Sequence, residues 1–285
     1  MQVTLKKLAQ ARTQVTVVFD EQQAKTAEDA AVKGLGAALK VKGFRPGQAP
    51  LALLREHLSA ERIREETVHQ LLPGAMEDIQ EKGIRPIVTP RVELTALQPL
   101  TLLITLVEKP EVRVDVKKIQ AAPVKEGKSA NESQLLDLVS EHTKVDLAPE
   151  LIDEEVRELA TGHIRKLEQA GISFEKWLQD GKKSPEDFLK ELRGIAEKRL
   201  RIRFGISFLM EEWKIAVSDE EVSRAVSALL SPLATSEQET LRTLYQPRGR
   251  AFEQFKYQKM VEKVMARLHG HSPSPHQGSS TNEPG

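Results

Sequence analysis

The sequence has no cysteine among its 285 residues, which excludes disulfide bonds and thiolate metal sites. This composition suits a reducing cytosol, and we expect a cytoplasmic protein. No segment approaches the roughly 20 apolar residues that a membrane-spanning helix requires. The segment 1–7 lacks the apolar stretch of a signal peptide, so we predict neither secretion nor a membrane partner.

Aromatic residues are scarce and unevenly distributed. They make up 4% of the chain, and all but Phe19 and Phe44 lie at or beyond Phe174. Charged residues make up 29% of the chain, and the formal net charge is +0. This composition indicates a soluble, helix-rich protein with two chemically different parts and no large aromatic core.

The motifs of common enzymes are missing as well. The chain contains no phosphate-binding loop, no G-x-S-x-G and no H-E-x-x-H, so we predict no nucleotide, cofactor, metal or catalytic residue. Gly34-Leu35-Gly36 lies in an Ala-rich, helix-like stretch and is interpreted as a small-residue packing point. His163 falls near the apolar face of its helix and is interpreted as structural.

The pattern along the chain predicts two domains. Residues 1–118 are mixed α+β, residues 119–133 have the composition of a linker, residues 134–269 are helical, and residues 270–285 are predicted to be disordered. In the first part we predict strands at 2–8, 15–19, 92–97, 100–107 and 112–116, a short strand-like pair at Ile87–Val88, and helices at 21–41, 51–58 and 59–83.

Helix-start signals dominate the second part. Pro149 and Ser184-Pro185 are typical of helix starts, and Gly171 of a helix end. The segments 218–221 and 236–239 both fit a capping box, and a last helix is predicted over 249–268.

The most informative stretch is Gly43-Phe44-Arg45-Pro46-Gly47-Gln48-Ala49-Pro50. Two Gly and two Pro exclude a regular helix or strand there. No Asp or Glu occurs between positions 30 and 55, whereas five residues in that range are basic: Lys33, Lys40, Lys42, Arg45 and Arg55. Such a local basic patch favours a polyanion or an acidic protein surface.

The residues alone leave two interpretations of this stretch open. Phe44 and Arg45 are either displayed to a partner on a loop, or the stretch is a plain connection between two helices. In the second case Gly43 caps one helix, Pro50 starts the next and Phe44 enters the core.

The pattern Gly43-Phe44-Arg45-x-Gly47-x-x-Pro50 resembles the ribosome-binding signature of the trigger factor family of bacterial ribosome-associated chaperones. The opening Met1-Gln2-Val3 is also typical of that family, and the segment 145–155 resembles the start of its C-terminal chaperone domain. The resemblance covers most of residues 1–118 and 131–268.

The resemblance implies an elongated protein with an α+β ribosome-binding domain followed by an all-α, SurA-like chaperone domain. It implies docking near the exit tunnel of the large ribosomal subunit, on a ribosomal protein and rRNA. Unfolded nascent polypeptides would be bound without ATP. The resemblance leaves open whether the protein forms a weak homodimer. The implied docking residues are those of the signature and its basic flank: Lys40, Lys42, Gly43, Phe44, Arg45, Gly47 and Pro50.

Candidate residues for contact with clients are aromatic: Trp177, Trp213, Phe252 and Phe255, each of which is also a plausible core residue. The chain departs from the family in two ways. Pro46 and Gln48 stand where members often carry Lys, so ribosome affinity is expected to be weaker or more salt-dependent. Only about 30 residues bridge the two parts where an FKBP-type prolyl isomerase domain usually stands, which needs at least ~50.

We therefore predict no isomerase activity. The alternatives are a prolyl isomerase-type folding factor with an unrecognised site, and a free cytosolic chaperone without ribosome docking.

Overall fold

Alternating apolar residues build an antiparallel sheet from the first hundred positions. The computed structural model describes residues 1–45, 47–121, 132–232, 238 and 242–269. Four strands pair in the order β1-β2-β4-β3: β1 (Gln2–Lys7), β2 (Arg12–Val18), β3 (Arg91–Leu97) and β4 (Leu100–Val107). The predicted pairing of the first two strands is confirmed, with Val3 opposite Val17.

One face of this sheet carries the main core of the N-terminal part. Val15, Val17, Leu102 and Ile104 are fully buried there and pack in one cluster with Ile79. Ile79 belongs to the long helix of this region. The helices are α1 (Glu21–Gly36), α2 (Leu51–Glu56) and α3 (Ala60–Glu81), and α1 packs on α3.

The predicted strand at Ile87–Val88 is wrong. These residues form a bend, in which only the Ile87 N–H is tied to the sheet, by donating to the Val107 carbonyl at 2.9 Å. Pro86 and Pro90 flank the segment, and proline has no N–H for a strand ladder.

The second compact unit is helical apart from one short pair of strands. Its strands are β5 (Val112–Val114) and β6 (Thr143–Val145), which pair antiparallel. Its helices are α4 (Val116–Ala121), α5 (Glu132–His142), α6 (Pro149–Gln169, of which Glu155 onward belongs to this unit), α7 (Phe174–Asp180), α8 (Pro185–Glu212), α9 (Asp219–Leu230) and α10 (Arg250–Leu268). The predicted α+β part followed by a helical part is therefore confirmed.

The helix-start predictions are confirmed wherever the structure describes them. Ser184 accepts a hydrogen bond from the Asp187 N–H at 3.0 Å, and Ser218 forms a reciprocal capping box with Glu221. Gly171 follows α6 with φ +70°. Most of the predicted box at 236–239, most of the predicted linker and the predicted disordered tail lie outside the described residues.

The boundary between the two units differs from the sequence expectation. The first unit comprises Met1–Pro110 together with Leu147–Glu154, and the second comprises Glu111–Asp146 with Glu155 onward. Residues 111–118, expected in the first domain, belong to the second because β5 pairs with β6 across 28 intervening residues (115–142). No helix in the described part combines the length and apolar character needed to cross a membrane.

Helix α8 is the structural axis of the second unit. At 28 residues it is about 42 Å long. Phe188, near its start, packs in a cluster with Leu178 of α7, whereas Leu209, near its end, packs with Val139 of α5 and Val264 of α10. Gly205 lies at this second cluster, where a Cβ would come within 2.4 Å of the Thr143 Oγ1.

We expect Gly205→Ala to lower the free energy of unfolding of the second unit by about 1–3 kcal/mol, because the added methyl overpacks the contact with β6. Gly194, on the same helix, is exposed and has no atom within 4 Å of a Cβ. Gly194→Ala should therefore raise stability by about 0.5–1 kcal/mol. Urea unfolding followed by tryptophan fluorescence measures both, since Trp177 and Trp213 lie in this unit. Equal effects of the two substitutions would contradict the packing argument.

Candidate functional site

The loop between α1 and α2 consists of successive turns held in place by glycine. The Phe44 N–H donates to the Val41 carbonyl at 3.1 Å, and the Gln48 N–H donates to the Arg45 carbonyl at 3.0 Å. Gly43 and Gly47 have φ values of +88° and +76°, a region that residues with a Cβ rarely adopt. Pro46 lies outside the described residues.

A small separate core supports this loop. Val41, at the start of the loop, packs with Val32 of α1 and Leu54 of α2, and all three are buried. Leu54 lies so close to α1 that a Cβ on Gly36 would be 2.6 Å from the Leu54 Cδ1. The interpretation of Gly34-Leu35-Gly36 as a packing point is thereby confirmed at Gly36.

The loop displays Phe44 instead of burying it. The Phe44 side chain is 43% exposed, and Arg45 beside it is exposed as well. Pro50 does precede α2 as its N-cap. The plain-connection interpretation, which placed Phe44 in the core, is contradicted by this exposure.

The basic patch is smaller than the sequence indicates. Arg55 Nη2 lies 2.7 Å from Asp29 Oδ1 and 3.1 Å from Glu28 Oε1, both on α1. Arg55 therefore ties α2 to α1, and its charge is compensated. The remaining cations are exposed and form no ion pair with a described residue: Lys33, Lys40, Lys42 and Arg45.

The aromatic residues predicted to contact clients are mostly packed. Phe252 is 1% exposed inside the core formed with α9, so its prediction as a contact residue is wrong. Trp177 packs edge-on against His163 with ring centroids 4.5 Å apart, which supports the structural interpretation of that histidine. Trp213 lies under the Arg267 guanidinium at 4.8 Å, and Phe255 packs edge-on against Tyr245 at 5.9 Å. Trp177, Trp213 and Phe255 are half-buried.

The second unit exposes aliphatic side chains that the sequence argument missed. Leu189, Ile195 and Leu229 are 49%, 47% and 52% exposed. The sequence of an amphipathic helix does not indicate which of its individual aliphatic residues remain outside the core. Among the described residues, no group of three or more His, Asp or Glu side chains is arranged to hold a metal ion.

Comparison with known proteins identifies the family. The model of the bacterial trigger factor protein (TF) matches residues 1–138, and that of the bacterial trigger factor protein (TF) C-terminus matches residues 111–268, more than half of the chain. The chain belongs to the trigger factor family.

Curated trigger factors resemble parts of this family member. The trigger factor of Carboxydothermus hydrogenoformans is 30% identical over 40% of this chain, and that of Rhodococcus erythropolis is 30% identical over 48%. The trigger factor of Chelativorans sp. is 28% identical over 47% of this chain. The matched regions span only 28–32% of the length of these relatives.

A solved structure shows the same fold over nearly the full chain. It comes from work on promiscuous substrate recognition in the folding and assembly activities of the trigger factor chaperone. The match covers 95% of this chain and 100% of that one, with a TM-score of 0.66 and 17% sequence identity. At this identity the comparison establishes the fold of this trigger factor family member.

We expect Gly47→Ala to destabilise the first unit by roughly 1–2 kcal/mol, the cost of a left-handed conformation for a residue with a Cβ. The methyl would also lie 3.3 Å from the Ala37 carbonyl oxygen. Gly34→Ala is the matched control, because Gly34 is helical, exposed and has no atom within 4 Å of a Cβ. Circular dichroism during urea unfolding measures both variants. A Gly47→Ala variant as stable as the control would contradict the role of Gly47 in the loop.

Proposed function

We propose that this protein is a cytoplasmic, ribosome-associated chaperone that binds nascent polypeptides without ATP. The observation that carries the proposal is the display of Phe44 and Arg45 on a loop braced by its own core. Membership of the trigger factor family supports it. The partner is the large ribosomal subunit near the exit tunnel, contacted at a ribosomal protein and rRNA.

The chemistry of the loop suits this partner. An exposed phenyl ring can enter an apolar notch, and such an anchor typically contributes about 2 kcal/mol or more. A guanidinium can hold a carboxylate or a phosphate through two parallel hydrogen bonds. Lys33, Lys40 and Lys42 add an attraction to RNA that weakens as salt rises, because binding releases counterions from the phosphates.

Gly43, Gly47 and Pro50 have a second role in this proposal, since they shape the loop that displays Phe44 and Arg45. Gly43 and Gly47 supply the two left-handed backbone positions, and Pro50 precedes the helix whose Leu54 packs beneath the loop. Holding Phe44 in one place before binding reduces the entropy lost when it docks.

The double substitution Phe44→Ala, Arg45→Ala should abolish co-sedimentation with the large subunit, because it removes both the apolar anchor and the adjacent cation. Co-sedimentation of purified protein with ribosomes through a sucrose cushion is the measurement. Lys25→Ala, Arg62→Ala is the control, since these are exposed cations of the same unit outside the loop.

Wild type should pellet with the large subunit, and the control should pellet equally well. Failure of wild type to pellet, or equal pelleting of the double variant, would contradict docking through this loop. In the first case the free cytosolic chaperone becomes the better hypothesis.

Client binding is assigned to the exposed aliphatic residues of the second unit. Weak contacts to many unfolded chains need scattered apolar side chains that are accessible without opening the core. Leu189, Ile195 and Leu229 meet this requirement, and Tyr257 is 44% exposed in the same unit. The half-buried Trp177, Trp213 and Phe255 contribute at most their exposed edges.

Replacing Leu189, Ile195 and Leu229 together by Gln should weaken suppression of client aggregation several-fold, since it removes exposed apolar area. Light scattering of a chemically denatured enzyme diluted into buffer without ATP is the measurement. Leu5, Ile87 and Leu97, which are 41%, 43% and 55% exposed in the first unit, provide a matched triple Gln control. An equal loss of aggregation suppression in the two triple variants would show that clients do not bind specifically to Leu189, Ile195 and Leu229.

The proposal does not include prolyl isomerisation. The two family regions overlap at residues 111–138, so no stretch of this chain lies between them. The prediction made from the sequence, that the protein acts without isomerase chemistry, stays a prediction.

A further inference from the structure

The short ladder of β5 and β6 places two cations directly opposite each other. Arg113 is the register partner of Lys144, and both side chains are on the exposed face. Like charges at directly opposed positions of an antiparallel pair destabilise the sheet. The opposed Arg113 and Lys144 therefore lower the stability of a ladder that has only three residue pairs. This cost suggests that the two cations have another role.

The surrounding residues form a cleft of about 470 Å³. Lys117 and His142 line it together with Arg113 and Lys144. Two carboxylates are nearby. Asp115 also lines the cleft, but its Oδ2 is 3.5 Å from Lys118, while Glu111 lies 3.6 Å from Arg113 with both side chains more than 80% exposed. Pairs this exposed contribute little.

Lys117 and Lys144 form no ion pair with any described residue. With the partners of these ion pairs included, four cations (Arg113, Lys117, Lys118 and Lys144) stand against the two carboxylates of Glu111 and Asp115, an excess of two positive charges. An excess of positive charge in one concave site attracts and holds an anion.

The scaffold beneath the cleft is rigid. Thr143, on the inner face of β6, is buried and donates a hydrogen bond to the Val139 carbonyl at 2.6 Å. The missing side chain of Gly205 lets Thr143 lie directly on α8. The Asp115 N–H donates to the His142 carbonyl at 3.1 Å and closes the end of the ladder. The cations thus project from a fixed frame, as a binding site requires.

We propose that Arg113, Lys117 and Lys144 form a site for the phosphate backbone of RNA, separate from the loop at 43–50. The excess of positive charge suits a partner with several adjacent negative charges, and an RNA backbone carries one on each phosphate. A protein partner would in addition need an apolar anchor. Among the described residues between Leu97 and Ile172, no large hydrophobic side chain is exposed. Binding to an RNA backbone needs only the charges.

The test is binding of a fluorescein-labelled, single-stranded 20-nucleotide RNA, followed by anisotropy from about 50 to 200 mM salt. Replacing Arg113, Lys117 and Lys144 by Ala should raise the dissociation constant by about 10-fold or more at low salt. It should also reduce the slope of log K against log salt by about 2. A triple Ala variant of Lys166, Lys176 and Lys190, exposed cations of the same unit, changes the net charge equally and should bind as wild type.

Lys144→Glu separates binding from folding. It replaces the opposed like charges by an Arg113–Glu pair, so the urea midpoint should rise while RNA affinity falls. A residue with a purely structural role would move both properties in the same direction. Retained RNA affinity in Lys144→Glu would overturn the proposal, whatever its stability.

Three further outcomes would overturn it. The first is an equal loss of RNA affinity in the two triple variants, which would show that RNA binding depends on the net charge of the unit and not on this site. The second is loss of RNA binding in the Phe44→Ala, Arg45→Ala variant, which would assign the RNA to the loop. The third is stronger competition by poly-glutamate than by unlabelled RNA, which would identify an acidic protein as the partner. None of these measurements uses ribosomes, so they stand or fall independently of the proposed docking.

Discussion

The close approach of Leu54 to Gly36 is the contact on which the loop depends. A side chain at position 36 would meet the Leu54 Cδ1 at 2.6 Å, so α2 can lie against the end of α1 only because that residue is glycine. The ion pairs of Arg55 with Asp29 and Glu28 fix the same helix from its next position. Val41 before the loop tip and Leu54 after it are both buried, so the two ends of the loop are fixed while Phe44 remains accessible.

The second unit uses the same device at another place. Gly205 lets Thr143 approach α8, and the ladder that begins at Thr143 carries Arg113 and Lys144 on its outer face. In both cases a glycine within a helix allows a short element to pack tightly, and exposed cations lie next to that element (Lys40, Lys42 and Arg45 before α2) or on it (Arg113 and Lys144). Short elements have too little core of their own to be stable, so their side chains are fixed only through such contacts.

Much of the site could be predicted from residues adjacent in sequence. The glycines and prolines at 43–50, the absence of acids from 30 to 55 and the family signature are all local patterns. The neutralisation of Arg55 could not be predicted, because Asp29 lies 26 residues earlier and meets it only when α2 packs on α1. The pairing of β5 with β6 is equally non-local, and for that reason the boundary at Pro110 differs from the expected one at 118.

The exposed aliphatic residues show a different limit. Leu192 and Ile195 are three residues apart on α8, a spacing that predicts one apolar face, yet Leu192 is buried and Ile195 is exposed. Leu189 is exposed as well, whereas Ala196 is buried. Which apolar residues of a helix remain accessible depends on how many other helices pack against that helix. For the proposed chaperone function this is the decisive property, because an unfolded client binds to apolar surface that is not buried in the protein's own core. Residue type does not decide this: in the second unit Phe188 and Phe252 are buried and Tyr257 is exposed, while Leu192 is buried and Leu189 is exposed.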